Sequence, residues 1–262
     1  MARKVILNAD DFGLTRSVSD GIIKSCRSRL VRSTSVLANM FRSDDIDALK
    51  WCDTLDCGIH LNLTVGQSFL PHAKIKSLTL ESGEFHKRKS PGRIVNDYGF
   101  VVFDDADPKE ILNELTAQIE WFLSFGLKPS HLDSHHHIHA DEKVLAAIIE
   151  LAQEYKLPVR SISDSMRNHL RANGIPTNDH FEGGFFGPDS ITKENLTTIL
   201  RNLPDGVTEI MTHPGLISDE LRAISGYCDE REAELEVITD DALLEEVFSF
   251  GIELIGWKDL VL

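Results

Sequence analysis

The stretch VILNADDFGLTRSVSDGIIKSC, residues 5–26, contains the unit from which we predict the rest of the fold. Its first residues form an apolar run typical of a buried strand, and apolar residues at positions 18, 22, 23 and 26 then recur at helical spacing. Thr15 is a suitable N-cap for that helix, because its hydroxyl can accept a hydrogen bond from a free backbone N–H. The stretch therefore predicts a strand followed by a helix, with the carboxylates of Asp10 and Asp11 where the strand ends.

The same alternation of strand and helix continues along the chain. Further strands are predicted at residues 33–39, 57–64, 128–135, 157–162, 207–213 and 252–257. Helices are predicted at residues 43–52, 107–126, 141–155 and 192–203, with two more between residues 229 and 249. This pattern favours an α/β fold with a parallel sheet, either closed as a barrel or open and doubly wound.

Polar residues lie at the ends of several of these strands. Asp10 and Asp11 end the first strand, His60 lies in the strand at 57–64, and His213 ends the strand at 207–213. In a β/α barrel the active site draws on the carboxyl ends of several strands, whereas an open sheet binds ligands mostly at one switch point. The positions therefore favour a β/α barrel or a distorted relative of one.

The chain length fits one such barrel. A β/α barrel takes roughly 250 residues, so the 262 residues are expected to form a single domain spanning 1–262. Residues 65–106 are rich in Gly, Pro, Ser and Lys and have weak periodicity, which predicts a long loop or insertion near a binding face.

Composition argues against several classes of partner. The 27 basic and 42 acidic residues give a net charge of −15, so no nucleic-acid partner is expected. The amino terminus lacks the apolar core of a signal peptide and no apolar run reaches the length of a membrane span, so we expect a cytoplasmic protein. The cysteines form no CxxC pair and are expected to be free thiols, and the frequency of two-fold oligomers alone suggests a homodimer.

The stretch HLDSHHHIHA, residues 131–140, concentrates imidazoles, which are the commonest metal ligands in proteins. A polar loop formed by chance and a tract that binds metal loosely are two other interpretations. Asp10 and Asp11 could likewise cap a turn, and His60 could be a hydrogen-bonded core residue. The coincidence of the cluster with polar strand ends favours a real site.

The chemistry of such a site is hydrolytic. One carboxylate and two imidazoles can hold a divalent ion that keeps positions open for water and a substrate carbonyl. A neighbouring carboxylate can take the proton of the water, and a histidine can protonate the leaving group. Two alternatives stay open: a metal-dependent phosphoesterase, which would normally need Lys or Arg near the phosphate, and a non-enzymatic metal-binding protein.

Motifs along the chain resemble the YdjC-like carbohydrate deacetylases, the group that contains the chitooligosaccharide deacetylases. They are NADDFG, GIHLNLT, HLDSHHHIH and EIMTHPG, in this order, with GYCDEREAELEVIT near the carboxyl end. The resemblance implies a distorted (β/α) barrel akin to the polysaccharide deacetylases. It also implies a metal-dependent hydrolase that removes acetyl from N-acetylglucosamine units of small carbohydrates such as chitooligosaccharides.

The same resemblance implies roles for individual residues. Asp11, His60 and His135 would hold one divalent ion, Mg²⁺ or Zn²⁺. Asp10 would be the general base, and His213 is the candidate acid.

The choice of histidine ligands has an alternative. In the related polysaccharide deacetylases an H-x-x-x-H pair binds the metal, which would select His135 with His139 and leave His60 out. We prefer His60 because its segment matches the family motif.

Three further residues are lesser candidates for contact with substrate or ligands. In extended backbone His137 would share a face with His135. Asp133 could orient a ligand imidazole, although a turn cap is an equally good interpretation. Arg231, in the matching carboxyl-terminal segment, could pair with Asp10 and tune its pKa, or lie on the surface of a charged helix.

Overall fold

The computed structural model of the protein describes residues 2–52, 54–86 and 102–260. The β-strands in this part of the chain are β1 (Arg3–Phe12), β2 (Val31–Val36), β3 (Asp56–Leu61), β4 (Leu132–Ser134), β5 (His180–Glu182), β6 (Gly206–Thr212) and β7 (Glu253–Leu254). The α-helices are α1 (Arg16–Cys26), α2 (Ser43–Trp51), α3 (Pro108–Ser124), α4 (Glu142–Tyr155), α5 (Asp164–Ala172), α6 (Lys193–Arg201), α7 (Asp219–Ile224), α8 (Asp229–Ile238) and α9 (Asp241–Ser249). Short 3₁₀ helices cover His72–Lys74, His135–Ala140 and Trp257–Leu260.

The strands form one parallel sheet in the order β4-β3-β2-β1-β6-β5, with β7 beside the first residues of β1. Ala9 near the end of β1 pairs with Thr34 of β2 and with Thr212 of β6. His60 of β3 pairs with Asp133 of β4. Because all the strands are parallel, their carboxyl ends meet at one end of the sheet, where the predicted site residues lie.

Irregular backbone continues the sheet between its two edge strands, β4 and β5. The N–H of Leu132 donates to the carbonyl of Pro158, and the N–H of Arg160 donates back to Leu132. The N–H of Val159 donates to the carbonyl of Pro176, just before the chain enters β5. The result is a barrel in which short irregular segments replace regular strands on one side.

Most predicted elements are confirmed. Helix α1 begins after Thr15, whose hydroxyl accepts a hydrogen bond from the N–H of Val18, as an N-cap does. The strand predicted at 128–135 is much shorter, because a 3₁₀ helix begins at His135. Elements β5, α5 and α7 have no counterpart among the predicted ones: β5 and α7 are too short for a periodic pattern, and α5 buries only Met166 and Leu170.

The predicted insertion is described only in part. Residues 66–86 fold into a compact loop with antiparallel bridges from Gln67 to Glu84 and from Thr79 to Phe85. Residues 87–101 lie outside the described part of the chain, so the insertion and the single domain stay predictions.

Two further predictions concern the cysteines and the length of the helices. No disulfide joins the cysteines in the described ranges, as predicted, and no helix in them is long and apolar enough to cross a membrane. The cytoplasmic location, the homodimer and the absence of a nucleic-acid partner stay predictions.

Candidate active site

Asp10 and Asp11 are neighbours in β1, yet both line the same cavity at the carboxyl end of the barrel. In a regular strand adjacent side chains point to opposite faces. The pairing of β1 with β2 shifts register between Ala9 and Phe12, and Asp11 has a φ of 74°. A bulge re-aims a side chain, and left-handed backbone in a non-glycine residue is typical of functional sites.

The carboxylate of Asp11 lies between two imidazoles. Its Oδ1 is 2.8 Å from Nδ1 of His135 and 3.4 Å from Nε2 of His60. The three residues are buried, and one donor atom of each lies within 4.8 Å of the others. Ligand atoms about 2.0–2.2 Å from one ion are roughly 3 to 3.5 Å apart. The cluster is therefore close to the spacing that a single divalent ion requires.

Asp133 orients His60 from the neighbouring strand. Nδ1 of His60 lies 2.8 Å from Oδ1 of Asp133, whose other oxygen accepts a hydrogen bond from the Ser35 hydroxyl at 2.5 Å. Burial lowers the pKa of His60, but Asp133 and the hydrogen bond to Asp11 outweigh it and raise that pKa to about 10. A metal-binding imidazole almost always donates its other N–H to such a partner, and the orienting role of Asp133 stays a prediction that this hydrogen bond supports.

The alternative ligand His139 is not brought to Asp11. It is fully buried, its Nδ1 contacts the Ser134 hydroxyl, and it is absent from the cavity wall. Within the described residues, neither cluster of metal-ligating side chains contains His139, and both contain His60. The geometry therefore favours His60 as the partner of His135.

The expectation that His135 and His137 share a face of extended backbone is wrong. They lie in a 3₁₀ segment with a kink, where His136 and His137 have φ values of 56° and 49°. His137 nevertheless lines the cavity, with its ring edge-on to Phe181 at a centroid distance of 5.6 Å. It stays a candidate for contact with substrate.

Arg160, which the motifs do not include, holds the carboxylate of Asp10. Its two terminal nitrogens each donate to one oxygen of Asp10 at 2.7 Å. The same guanidinium reaches Glu209 at 2.8 Å and Asp133 at 3.0 Å. Burial raises the pKa of Asp10, but the charge of Arg160 outweighs it and holds that pKa below its usual value. Asp10 is therefore ionised at neutral pH and able to accept a proton.

The predicted pairing of Arg231 with Asp10 is wrong, because Arg231 binds the neighbouring carboxylate. Its Nη2 donates to Oδ2 of Asp11 at 2.5 Å, and its Nε donates to the carbonyl of Tyr227 at 3.0 Å. Arg231 is only 3% exposed, so it is not a surface residue of helix α8. Burial raises the pKa of Asp11, but His135 and Arg231 together hold it well below its usual value.

His213 lies directly after β6, beside a buried carboxyl group. Its backbone N–H donates to Oε2 of Glu234 at 2.5 Å, and the Tyr227 hydroxyl donates to Oε1 at 2.5 Å. Nδ1 of His213 is 3.9 Å from the same carboxyl. Burial lowers the pKa of His213 to about 4 and raises that of Glu234 to about 8. Both shifts favour the neutral form of each side chain in the free protein.

These strand ends enclose a cavity of about 550 Å³, a size typical of a small-molecule site. The ionisable lining residues are Asp10, Asp11, His60, His135, His136, His137, His213 and Arg231. Apolar and aromatic residues complete the wall: Leu14, Val65, Phe181, Phe186, Met211, Ile224 and Tyr227. The cavity thus combines convergent polar groups with an apolar wall.

Sequence reasoning missed Arg160, Glu209 and Glu234. Arg160 and Glu209 carried a signal, since each is the one Lys, Arg, Asp or Glu in a predicted strand and must find a partner if that strand is buried. Glu234 shares a face of α8 with Arg231 three residues earlier, but many acidic residues in that helix hide the pattern.

A distorted (β/α) barrel with a buried Asp–His–His cluster beside an ionised carboxylate has the architecture of a metal-dependent hydrolase. The chain belongs to the YdjC-like protein family, which it matches over residues 4–247. The carbohydrate deacetylase of Thermoanaerobacter pseudethanolicus is 37% identical over 257 residues, which cover 98% of each chain. The chitooligosaccharide deacetylase of Proteus mirabilis is 34% identical over an alignment of 270 positions that covers 100% of each chain.

Solved structures agree with the fold. An Enterococcus faecalis protein, described as a candidate cellobiose-phosphate cleavage protein, is 31% identical and superposes with a TM-score of 0.87 over 100% of both chains. A family 4 carbohydrate esterase from Streptomyces lividans is 9% identical and superposes with a TM-score of 0.52, over 96% of this chain and 91% of its own. The predicted α/β class, a distorted (β/α) barrel of the polysaccharide deacetylase type, is confirmed.

Proposed function

We propose that this protein is a metal-dependent carbohydrate deacetylase that removes acetyl from N-acetylglucosamine units of small carbohydrates such as chitooligosaccharides. The observation that carries the proposal is the buried cluster of Asp11, His60 and His135 beside the ionised carboxylate of Asp10. The substrate class is supported by the relatives, which are named carbohydrate and chitooligosaccharide deacetylases and align over almost the whole chain.

Asp11, His60 and His135 would hold one divalent cation. Imidazole nitrogens suit Zn²⁺ and carboxylate oxygens suit Mg²⁺, so the mixed donor set fits either ion. When bound, such a cation polarises the acetyl carbonyl and makes a water molecule more acidic.

Asp10 acts as the general base in this proposal. It lines the cavity but is not needed as a ligand, and it is ionised at neutral pH. The two hydrogen bonds from Arg160 fix the plane of the carboxylate, so that it can receive the proton of the attacking water without reorienting.

His213 delivers the proton that the leaving amine needs. In the free protein burial lowers the pKa of His213 and keeps its imidazole neutral, while the charges of Asp10 and Asp11 raise that pKa. Negative charge that develops on the acetyl oxygen adds to their effect. His213 takes up a proton from solvent as that charge develops and donates it to the amine nitrogen as the C–N bond breaks, while the proton that Asp10 accepted from the attacking water returns to solvent after acetate leaves.

The test measures acetate release from diacetylchitobiose by protein stripped with a chelator, before and after addition of Mg²⁺ or Zn²⁺. We expect release only after metal is restored. Asp10→Asn should keep one bound ion per chain and lose about 10³-fold in kcat, because it loses only the general base. Asp11→Asn should lose the ion itself, and Asp20→Asn, on the surface of α1, is the matched control.

Other outcomes would contradict the proposal. Release of phosphate from phosphoesters, with no acetate from any N-acetylated sugar, would indicate a phosphoesterase. Several weakly bound ions per chain, with no effect of Asp10→Asn on any reaction, would indicate a metal-binding protein without catalysis.

A further inference from the structure

An aromatic wall borders the cavity beside the groups that the proposed reaction uses. It begins in the glycine-rich segment GGFFG, residues 183–187, which follows β5. The two phenylalanines of this segment differ: Phe185 is fully buried and anchors the segment, whereas Phe186 is 46% exposed and lines the cavity.

The ring of Phe186 is held by a second aromatic residue. It stacks on Tyr227 with a centroid distance of 4.4 Å and an angle of 6° between the ring planes. The Tyr227 hydroxyl donates to Glu234 and accepts the N–H of Gly187, which belongs to the same segment as Phe186. Tyr227 thus holds the ring of Phe186 in place, and the half-exposed part of that ring is available to a ligand in the cavity.

Two exposed apolar side chains lie together at this cavity. Four large hydrophobic side chains in the described ranges are strongly exposed: Leu80, Phe186, Ile224 and Phe248. Phe186 and Ile224 both line the cavity, and the other two lie elsewhere. Exposed apolar side chains gathered at a cavity rimmed by polar groups are typical of a ligand site.

The position of the wall indicates which part of the substrate it meets. The His213 ring lies 5.4 Å from Phe186 and 5.6 Å from Tyr227, centroid to centroid. His213 is the proposed proton donor to the leaving amine, so the wall borders the leaving group. In a deacetylation of an amino sugar, that leaving group is the sugar ring itself. The C–H face of a pyranose is apolar and packs well on the negative face of an aromatic ring.

We propose that Phe186, backed by Tyr227, is the platform on which the pyranose ring carrying the acetamido group stacks. Phe186 is then a specificity-determining residue, which favours cyclic amino sugars over acyclic acetamides. The identification of the stacked ring as the leaving group rests on the proposed function. The stacking itself can be measured as sugar binding without turnover.

The test measures binding of N-acetylglucosamine and of diacetylchitobiose by calorimetry, with metal-loaded Asp10→Asn protein so that the sugar is not consumed. Adding Phe186→Ala should raise both Kd values about tenfold, because the ring contact is lost. Phe186→Tyr, which keeps a ring, should stay within about twofold. Phe248→Ala removes an exposed phenylalanine that does not line the cavity and should change neither Kd.

Turnover by otherwise wild-type protein provides a second measurement, should Asp10→Asn fail to fold. Phe186→Ala should raise KM for diacetylchitobiose about tenfold and leave kcat/KM for the acyclic amide N-acetylethanolamine unchanged. Unchanged sugar binding in Phe186→Ala, or an equal loss for the acyclic amide, would overturn the inference even if acetate is released. Sugar binding that depends on Phe186, without acetate release by the wild type, would overturn the proposed function and leave the inference standing.

Discussion

Asp10 and Asp11 are adjacent in the chain, yet their arginine partners come from different regions of the molecule. Asp10 is bound by Arg160 in the interior of the barrel, where one fully buried guanidinium serves three carboxylates. Asp11 is bound by Arg231, which reaches the cavity wall from helix α8.

The two pairs differ in how many nitrogens of the arginine have a hydrogen-bond partner. The nitrogens of Arg160 are all engaged with Asp10, Asp133 and Glu209, and burial raises the pKa of Glu209 to about 7. Arg231 instead has a buried Nη1 without a hydrogen-bond partner among the described residues. The Arg160 network therefore mainly holds the interior of the barrel together, whereas Arg231 mainly sets the position of the carboxylate that we propose as a metal ligand.

The largest expected effect on stability is that of Arg160→Met. Removing the guanidinium leaves buried carboxylates uncompensated, which typically costs about 3–5 kcal/mol. We expect the free energy of unfolding in urea to fall by about that amount. The control is Arg16→Met, which breaks an exposed pair with Asp20 and should cost less than about 1 kcal/mol. Equal losses for the two variants would remove the distinction between the interior pair and a surface pair.

A smaller effect, seen in metal affinity, is expected for Arg231→Lys. A lysine can reach Asp11 or the carbonyl of Tyr227 but not both, so the carboxylate loses its fixed orientation. We expect metal affinity, measured by competition with a chelator, to fall about 10-fold to 100-fold, with a loss of stability below about 1.5 kcal/mol. Arg222→Lys, in an exposed pair with Asp229, should leave the affinity unchanged. A stability loss as large as that of Arg160→Met, with normal metal affinity, would reverse the two roles.

The smallest effect concerns Glu234→Gln and depends on pH. Burial raises the pKa of Glu234 from 4.5 to about 8. The protonated carboxyl therefore stabilises the fold fully below about pH 4.5, and this contribution is lost as pH rises through about 8. Glutamine has no charge to bury, so the stability of the variant relative to wild type should increase by at least about 1 kcal/mol between pH 5 and pH 8.5.

Glu236→Gln, an exposed neighbour on the same helix, is the control for this pH series. Its stability relative to wild type should stay constant over the same range. If Glu234→Gln also shows no pH dependence, Glu234 is ionised in the folded protein, and it then forms a charged partner for His213.

The sequence was most informative about elements with a strong pattern. Helix α1 and its cap at Thr15 follow from hydrophobic spacing and one hydroxyl, because both are local effects. The conformation of the 3₁₀ segment that begins at His135 does not follow from its neighbours in the sequence. Its positive φ values at His136 and His137 conflict with the ordinary preference of non-glycine residues, and only the surrounding structure can maintain them.

For the site, the chain itself determined which chemistry is available: carboxylates and imidazoles at the ends of parallel strands, which meet at one end of a barrel. The sequence therefore contained Asp10, Asp11, His60, His135 and His213 as candidates, and the structure brings all five to one cavity. Only the tertiary structure decided the partners, because Arg160 is 150 residues from Asp10 and Arg231 is 220 residues from Asp11. Ion pairs over such separations depend on how strands and helices pack in space, and a one-dimensional pattern does not contain that information.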